Sequence, residues 1–334
     1  MEFPADFFQE ETRCDFVISS MMKRAWAVQM EVLSIVADLC EKNGLQYFAE
    51  AGTLLGAVRH QGFIPWDDDI DIALKREDYN ELIRILPENL PYGFKLGGVF
   101  VPPASQDGAF PGFHSRVVTD SSVWGLKEHL DRFYGFPYPG NGIDIYAYDY
   151  LPRDREQEEL QEIILEYGRA LFFEKWGKPL SDDESQCWLQ KMEDLCGVSI
   201  PREGNIRWNL QKLLDAMAGL FGEEESDEMT VMLGICRAKR GRAYRVKKEC
   251  LESVIYLPFE SMQIAVPVGW HELLVATFGP DYMTFEKGVA GHEYPCYAPE
   301  EKKLLHIIRD LGFEDSVDEF CQKVSDGQIS VQLM

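Results

Sequence analysis

Three aspartates at alternate positions, Asp67, Asp69 and Asp71, dominate the segment Trp66-Asp67-Asp68-Asp69-Ile70-Asp71-Ile72. From Asp69 to Leu74 polar and apolar residues alternate, the pattern of a half-buried strand. Residues two apart on a strand leave the same face, roughly 6.6 Å apart along the chain, so Asp69 and Asp71 converge while Ile70 and Ile72 turn into a core. Two unit negative charges at that separation repel by roughly 2.5 kcal/mol at an effective dielectric near 20, against about 0.6 kcal/mol in bulk water. A half-buried pair therefore needs a counter-charge. Mg2+, or Mn2+ in its place, would supply it through Asp69 and Asp71, with substrate phosphates and water completing the shell. A solvated acidic loop would show the same spacing, and the run alone does not separate the two.

The segment upstream, Tyr47-Phe48-Ala49-Glu50-Ala51-Gly52-Thr53-Leu54-Leu55-Gly56, adds a second element. A short strand delivers Gly52 and Thr53 to the start of a helix, where free backbone N–H groups and the helix dipole favour a phosphate. A Gly-Thr pair before a helix is more often an ordinary cap, with the Thr53 hydroxyl opening the helix. A third carboxylate, Asp144, lies between Ile143 and Ile145 on another alternating segment, so phosphate cradle, metal pair and third acid form a constellation. Arg59 and His60 follow the cradle helix; Arg59 is either a contact to a diphosphate or a surface partner of the acidic run. Asp67 shares the parity of the pair and either completes a metal shell or, as is more common, orders or caps the loop; Asp68 points to the opposite face if the strand begins that early and is assigned no chemistry; Trp66 could stack on a base or choline but is more often a packing anchor. Arg76 and Arg116 are structural more often than phosphate-binding. Tyr134, Phe136, Tyr138, Tyr146 and Tyr148 could form an aromatic cage for a quaternary ammonium, but alternating aromatics are common in strands and the cage is left unassigned.

The elements that must hold these groups follow from periodicity. Met21 to Lys42 has a helical stripe stopped by Asn43-Gly44, Leu45 to Glu50 is a strand, Thr53 to Arg59 a short helix, and Glu77 to Leu86 a helix ended by Pro87. Short strands are expected around Phe94 to Leu96 and His114 to Thr119, with a further one at Asn141 to Tyr146. Beyond Leu151-Pro152 the patterns Glu156 to Trp176, Ile206 to Phe221 and Glu225 to Lys239 read as charged helices. Val254 to Tyr256 with Met262 to Val266 reads as a hairpin, and Gly269 to Phe278 as a helix stopped by Gly279-Pro280. The expected fold class is α/β: a small mixed sheet with flanking helices in a catalytic core at 21–151, and a mainly helical region at 152–334 whose late hairpin packs back on the core.

The 334 residues carry 57 acidic side chains against 33 Lys plus Arg, a formal charge of -24, on a 46% hydrophobic chain long enough for a large core. Such a surface repels polyanions, so nucleic acid is not expected as a partner, and adsorption on an anionic membrane is disfavoured. No run of about 18 apolar residues is present to span a bilayer. The eight cysteines have no zinc-type spacing. With acidic residues where a secretory leader would be basic, the protein is expected in the cytoplasm.

The order of these motifs resembles the nucleotidyltransferase superfamily. Within it, the stretch Ala51-Gly52-Thr53-Leu54-Leu55-Gly56-Ala57-Val58-Arg59-His60, then Gly62-Phe63-Ile64-Pro65-Trp66-Asp67-Asp68-Asp69-Ile70-Asp71, resembles the LicD family and its fukutin-related relatives. The likeness runs over roughly residues 24 to 80, continues loosely to Leu151-Pro152, and returns at Phe278-Gly279-Pro280-Asp281-Tyr282-Met283. It implies a nucleotidyltransferase-like fold. It also implies transfer of a phosphoalcohol, typically phosphocholine, from a cytidine diphosphate (CDP)-alcohol donor to a sugar hydroxyl of a cell-surface glycan precursor such as lipopolysaccharide or teichoic acid, the acceptor being possibly lipid-linked. Asp69 and Asp71 would then be metal ligands and Asp144 the third catalytic acid, with Gly52, Thr53 and Arg59 at the donor. Two other readings are a nucleotidyltransferase acting on a small molecule, which would release pyrophosphate rather than cytidine monophosphate, and a non-catalytic glycan-binding protein on the same fold.

Overall fold

The computed structural model describes residues 1–4, 6–103, 110–120, 126–174, 183–285 and 294–331. A short hairpin, β1 (Glu11–Arg13) and β2 (Phe16–Ile18), leads into α1 (Ser20–Asn43). Ser19 caps this helix by accepting from the Met22 N–H, and Gly44 ends it at φ 67°, a left-handed turn that a Cβ disfavours. Trp26, Met30, Leu33 and Val36 on the expected stripe are fully buried. The Trp26 ring stacks on Phe63 with centroids 4.3 Å apart, and that contact brings the loop before the acidic run against α1.

The chain continues through β3 (Tyr47–Ala49), α2 (Ala51–His60), β4 (Ile70–Lys75), α3 (Arg76–Asn89), β5 (Phe94–Gly98), β6 (Ser115–Thr119), α4 (Leu126–Arg132) and β7 (Gly142–Pro152). The strands form a mixed sheet in the order β3-β4-β7-β6-β5, with β4 parallel to β7 and the other neighbours antiparallel. The alternation in the two central strands does what it should: Ile70, Ile72, Ile143 and Ile145 have no exposed surface, and the aspartates between them face the other way. The fold is thus a mixed α/β sheet flanked by helices.

After β7 come α5 (Arg155–Glu174), α6 (Asp183–Cys196), α7 (Ile206–Ala218), β8 (Ser226–Thr230), α8 (Ile235–Arg240), β9 (Val246–Lys247), β10 (Val254–Phe259), β11 (Met262–Pro267), α9 (Trp270–Phe278), α10 (Ala298–Asp310) and α11 (Val317–Ser325). The helices α5, α6 and α7 enclose their own apolar cluster, with Leu165, Phe172, Leu189, Leu210 and Leu214 inside. The β10–β11 hairpin lies against β3 and joins the main core through Phe259, Ile264 and Val266. Position 151 itself falls inside β7.

Two expected elements differ. The segment Glu225 to Lys239 is not one helix: Ser226–Thr230 is the strand β8, paired antiparallel to the far half of β7, and only Ile235–Arg240 is helical. Sheet completion outweighs the helical preference of a charged run, because β7 is long enough to leave Asp149 to Pro152 needing a partner. Pro87 also does not end α3 but sits in its last turn, which extends to Asn89. A proline there loses only one hydrogen bond close to an end that frays anyway. The end of the expected Glu156 to Trp176 helix, at 175–176, lies outside the described residues.

Arg76, the first residue of α3, links the sheet to the helical region. Its Nε donates to Asp149 Oδ1 on β7 at 2.7 Å and its Nη1 to Asp215 Oδ1 on α7 at 3.0 Å, and all three residues are buried. Burial pushes the Asp149 carboxyl up to about 6, with Arg76 opposing. Removing one member of such a set leaves a buried charge uncompensated. Arg76→Ala is therefore expected to lower the unfolding free energy by about 3–5 kcal/mol, measured by urea denaturation; a loss under about 1 kcal/mol would mean the cluster carries no structural weight.

Candidate active site

The acidic loop is positioned from α1. Gln29 Nε2 donates to the Asp68 carbonyl at 2.7 Å, Trp26 Nε1 donates to the Asp67 carbonyl at 3.3 Å, and the Asp67 N–H donates to the Ile64 carbonyl at 2.8 Å. Folded back this way, Asp67, Asp68 and Asp69 each bring one carboxylate oxygen to within 4.8 Å of the others. Strand parity turns Asp68 away from the site, but β4 begins only at Ile70, so loop geometry decides where Asp68 points. It is fully buried, and its Oδ2 accepts the Cys296 N–H at 2.6 Å. Asp68 is thus a part of the site that alternation assigned to the other face.

Asp71 follows on β4 and is the direct register neighbour of Asp144 on β7. Burial, then Asp69, Asp144 and Asp67, push the Asp71 carboxyl well above the usual carboxylate range. The Asp67 carboxyl is raised in the same way, by burial and then by Asp69 and Asp68. Asp144 goes the other way. Burial would raise it, but His114 Nε2 at 3.0 Å and Arg116 Nε at 3.0 Å outweigh that and hold it below the usual range. Arg116 reaches it because β6 places Arg116 opposite Asp144. Asp149, five residues on, lies in the separate Arg76 cluster.

The residues expected to hold a donor have other partners. Thr53 does not open α2: the helix begins at Ala51, and Thr53 Oγ1 accepts the Asp71 N–H at 2.8 Å, fixing β4 against α2. The turn from β3 is made by Ala51 at φ 45°, a left-handed conformation costly for a residue with a Cβ. Gly52 has to be glycine because a Cβ there would stand 2.5 Å from Asp67 Oδ2. Its close approach is thus to a carboxylate of the acidic loop. Arg59 donates to the Tyr282 carbonyl at 2.8 Å and lies beside the Phe285 ring, tying α2 to the Phe278-to-Met283 motif. Trp66 packs edge-on against Phe285 with centroids 4.8 Å apart, as an anchor.

Beside the acidic loop lies a cavity of about 460 Å³. One part of its wall is Asp68, Asp69, Arg116 and Asp144; another is Phe136, Tyr138, Tyr297 and Glu300. Gln29, His114, Cys296 and Tyr297 were not singled out from sequence, because a residue brought in by tertiary contact leaves no local signal. Asp67, Asp68 and Asp69 cluster, Asp71 lies near enough to Asp69, Asp144 and Asp67 to be raised by them, and Asp144 is held by His114 and Arg116. That donor set suits a hard divalent cation, which takes oxygen ligands.

The mixed α/β sheet sets an acidic strand beside a second carboxylate-bearing strand. Residues 44–106 match the nucleotidyltransferase domain of LicD, FKTN and FKRP proteins. Over that segment the chain carries a LicD-type domain. It is 25% identical over 286 residues to the lipopolysaccharide cholinephosphotransferase LicD of Haemophilus influenzae, covering 85% of this chain and 94% of that one. It is 53% identical over 59 residues to an uncharacterized protein of Rickettsia prowazekii, covering 18% of this chain and 22% of that one. It is 44% identical over 48 residues to the human ribitol 5-phosphate transferase FKRP, covering 14% of this chain and 10% of that one. The last two likenesses thus span only a small part of those proteins. No helix among the described residues is long and apolar enough to cross a membrane.

Glu50, the residue before α2, is buried behind Asp71 and accepts hydrogen bonds from the Tyr148 and Tyr244 hydroxyls. Burial pushes it from 4.5 up to about 7, with the two hydroxyls opposing. A folded value above the unfolded one means the folded chain holds a proton that the unfolded chain releases, so this contribution is complete below about 4.5 and is lost as pH rises through about 7. In chelator, the stability of the wild type minus that of Glu50→Gln should fall by on the order of 2 kcal/mol between pH 5 and pH 8. Urea midpoints at the two pH values test this, and parallel curves for both proteins would refute it.

Proposed function

We propose that this protein transfers a phosphoalcohol, phosphocholine in the first instance, from a CDP-linked donor to a sugar hydroxyl of a cell-surface glycan precursor. The observation that carries the reading is the meeting of Asp68 and Asp69 of the acidic loop with Asp144 at one cavity, with Asp71 in register beside Asp144. The end-to-end likeness to a lipopolysaccharide cholinephosphotransferase supports it.

Asp69 with Asp67 and Asp68, and Asp71 on the adjoining strand, are the residues that would hold Mg2+ or Mn2+. A divalent cation bound there would offset the charge of the donor diphosphate and of the departing cytidine monophosphate. The chain's own contribution is positional. Trp26 and Gln29 fix the acidic loop through its carbonyls, and Thr53 fixes the Asp71 backbone. Gly52 leaves the room that Asp67 occupies. His114 and Arg116 keep Asp144 ionised, so it acts first as a hydrogen-bond acceptor that orients the sugar hydroxyl. The hydroxyl oxygen attacks the phosphorus that bears the alcohol, the bond from that phosphorus to the bridging oxygen breaks, and cytidine monophosphate leaves. The hydroxyl proton passes to Asp144 as the new bond forms, when the hydroxyl has become acidic enough for a weakly basic carboxylate to take it. Arg59 stands outside this scheme, as a tie between α2 and the Tyr282 segment.

Asp69→Asn and Asp71→Asn should each lower Mg2+-dependent transfer by at least about a thousandfold, roughly 4 kcal/mol of barrier, with circular dichroism unchanged. Asp144→Asn should bind the donor and lose about 10²- to 10⁴-fold in transfer. The product assay decides the class: cytidine monophosphate release supports the reading, whereas pyrophosphate release from a nucleoside triphosphate would make the protein a nucleotidyltransferase. Near-normal turnover in either β4 variant would remove the metal assignment.

A further inference from the structure

A second cavity, of about 200 Å³, lies in the helical region and shares no lining residue with the one beside the acidic loop. One wall is a single face of α5, where Glu162, Glu166 and Arg169 follow at helical spacing. The other is α8 with the turn that follows it, which brings Arg237 and Arg242. Leu165 and Met232, both buried, supply apolar lining.

Three guanidiniums thus meet at one small cavity, on a chain whose formal charge is -24. Like charges gathered in this way repel, so each calls for an anion. Glu162 serves two of them: its Oε1 accepts from Arg237 Nη2, and its Oε2 accepts from Arg242 Nε at 2.6 Å. Both of its oxygens are then taken. Arg237 is buried, and its Nη1 donates to the Gly241 carbonyl at 3.1 Å. Burial lowers Arg237 to about 10, with Arg245 and Arg242 adding to the effect and Glu158 opposing it. Arg169 is served less well: its Nε is buried and has no hydrogen-bond partner among the described residues. Its neighbour Glu166 is exposed, as is Glu159, which reaches Arg242 at 3.5 Å from outside the lining, so water screens both carboxylates.

We propose that this cavity is a binding site for a phosphate group, held by Arg169, Arg237 and Arg242 between α5 and the 237–242 segment. A carboxylate offers two oxygens in one plane, and Glu162 already fills that role toward Arg237 and Arg242. A phosphate carries about -1.5 to -2 charge and three strong acceptor oxygens, enough to reach the third guanidinium as well. The volume sets the size of the occupant. It falls below the roughly 300–1,000 Å³ of pockets that enclose a drug-sized ligand, so free phosphate or the phosphoryl end of a larger molecule fits and a whole nucleotide does not. The site lies outside the segment matched to the nucleotidyltransferase domain. An anion there would bridge two parts of the chain, so its binding should stabilise the fold.

The test uses the full chain in low-salt buffer with a chelator, so that no metal draws phosphate to the acidic loop. Inorganic phosphate and glucose 6-phosphate are titrated by calorimetry and by thermal unfolding, with acetate at matched ionic strength as the planar control. The wild type should bind one phosphate group per chain and rise in Tm with phosphate but not with acetate. Arg169→Gln and Arg242→Gln should each weaken binding by about tenfold or more, because hydrogen bonds between charged groups are the strong ones. Both side chains are partly exposed, so the fold should survive either replacement. Arg116→Gln, in the other cavity, should leave phosphate affinity unchanged. Tighter binding of the ester would assign the site to a phosphomonoester, and tighter binding of inorganic phosphate would assign it to the free anion. Absence of phosphate binding by the wild type, or an affinity that survives both Arg169→Gln and Arg242→Gln, would overturn the site. So would an equal rise in Tm with acetate, or loss of binding in Arg116→Gln alone.

Discussion

Mutual repulsion among buried carboxylates is the constraint around which the rest of the structure is arranged. Asp67, Asp68 and Asp69 are held within 4.8 Å of one another, and Asp71 is close enough to them and to Asp144 for its proton affinity to rise well above the ordinary range. A loop with that charge would open if its backbone were free to move. It is not free. Side chains from α1 hold the carbonyls of Asp67 and Asp68, α2 supplies the Thr53 hydroxyl to the Asp71 N–H, and β6 brings Arg116 and its neighbour His114 to Asp144. Those bonds go to main-chain atoms of the acidic residues or to Asp144. They fix the backbone from which the carboxylates project, which is what preorganisation of a site requires.

That arrangement explains why small changes of residue type near the run carry so much structural meaning. A Cβ at Gly52 would meet the Asp67 carboxylate, and Ala51 takes a left-handed conformation at the start of α2. The local strain sits where the chain turns from β3 into α2, and it is held by the hydrogen bonds that bind Thr53 and Glu50 to Asp71.

What could be read from sequence and what could not follows the same division. Alternation around Asp71 and Asp144 was visible because a strand's period is fixed by its backbone, and the two strands are neighbours with those residues in register. The central mixed sheet, the long first helix and the late hairpin were legible for the same reason. Asp68 was misdirected because the period was extended two residues too far into a loop, where side-chain direction is set by contacts with α1 and Cys296. Thr53 looked like a cap because its real partner, the Asp71 N–H, is eighteen residues away. The strand at Ser226–Thr230 was hidden in a charged run, since its reason for being extended is the unpaired half of β7 rather than its own composition.

A last consequence concerns which parts of the site lie in the matched segment. The family match ends at residue 106, and it contains the acidic loop, Gly52 and Thr53 but neither Asp144 nor its two partners. The aromatic wall is farther still: Phe136 and Tyr138 precede β7, while Tyr297 and Glu300 come from the start of α10. Cys296, next to Tyr297, is fixed to Asp68 across 228 residues of sequence. Of the acidic wall, Asp68 and Asp69 therefore come with the matched segment, whereas Arg116 and Asp144 do not. The aromatic wall is assembled entirely from parts of the chain that the matched segment does not include. The part of the site inside the matched segment is legible from a family pattern; the part outside it has to be read from the packing of this chain.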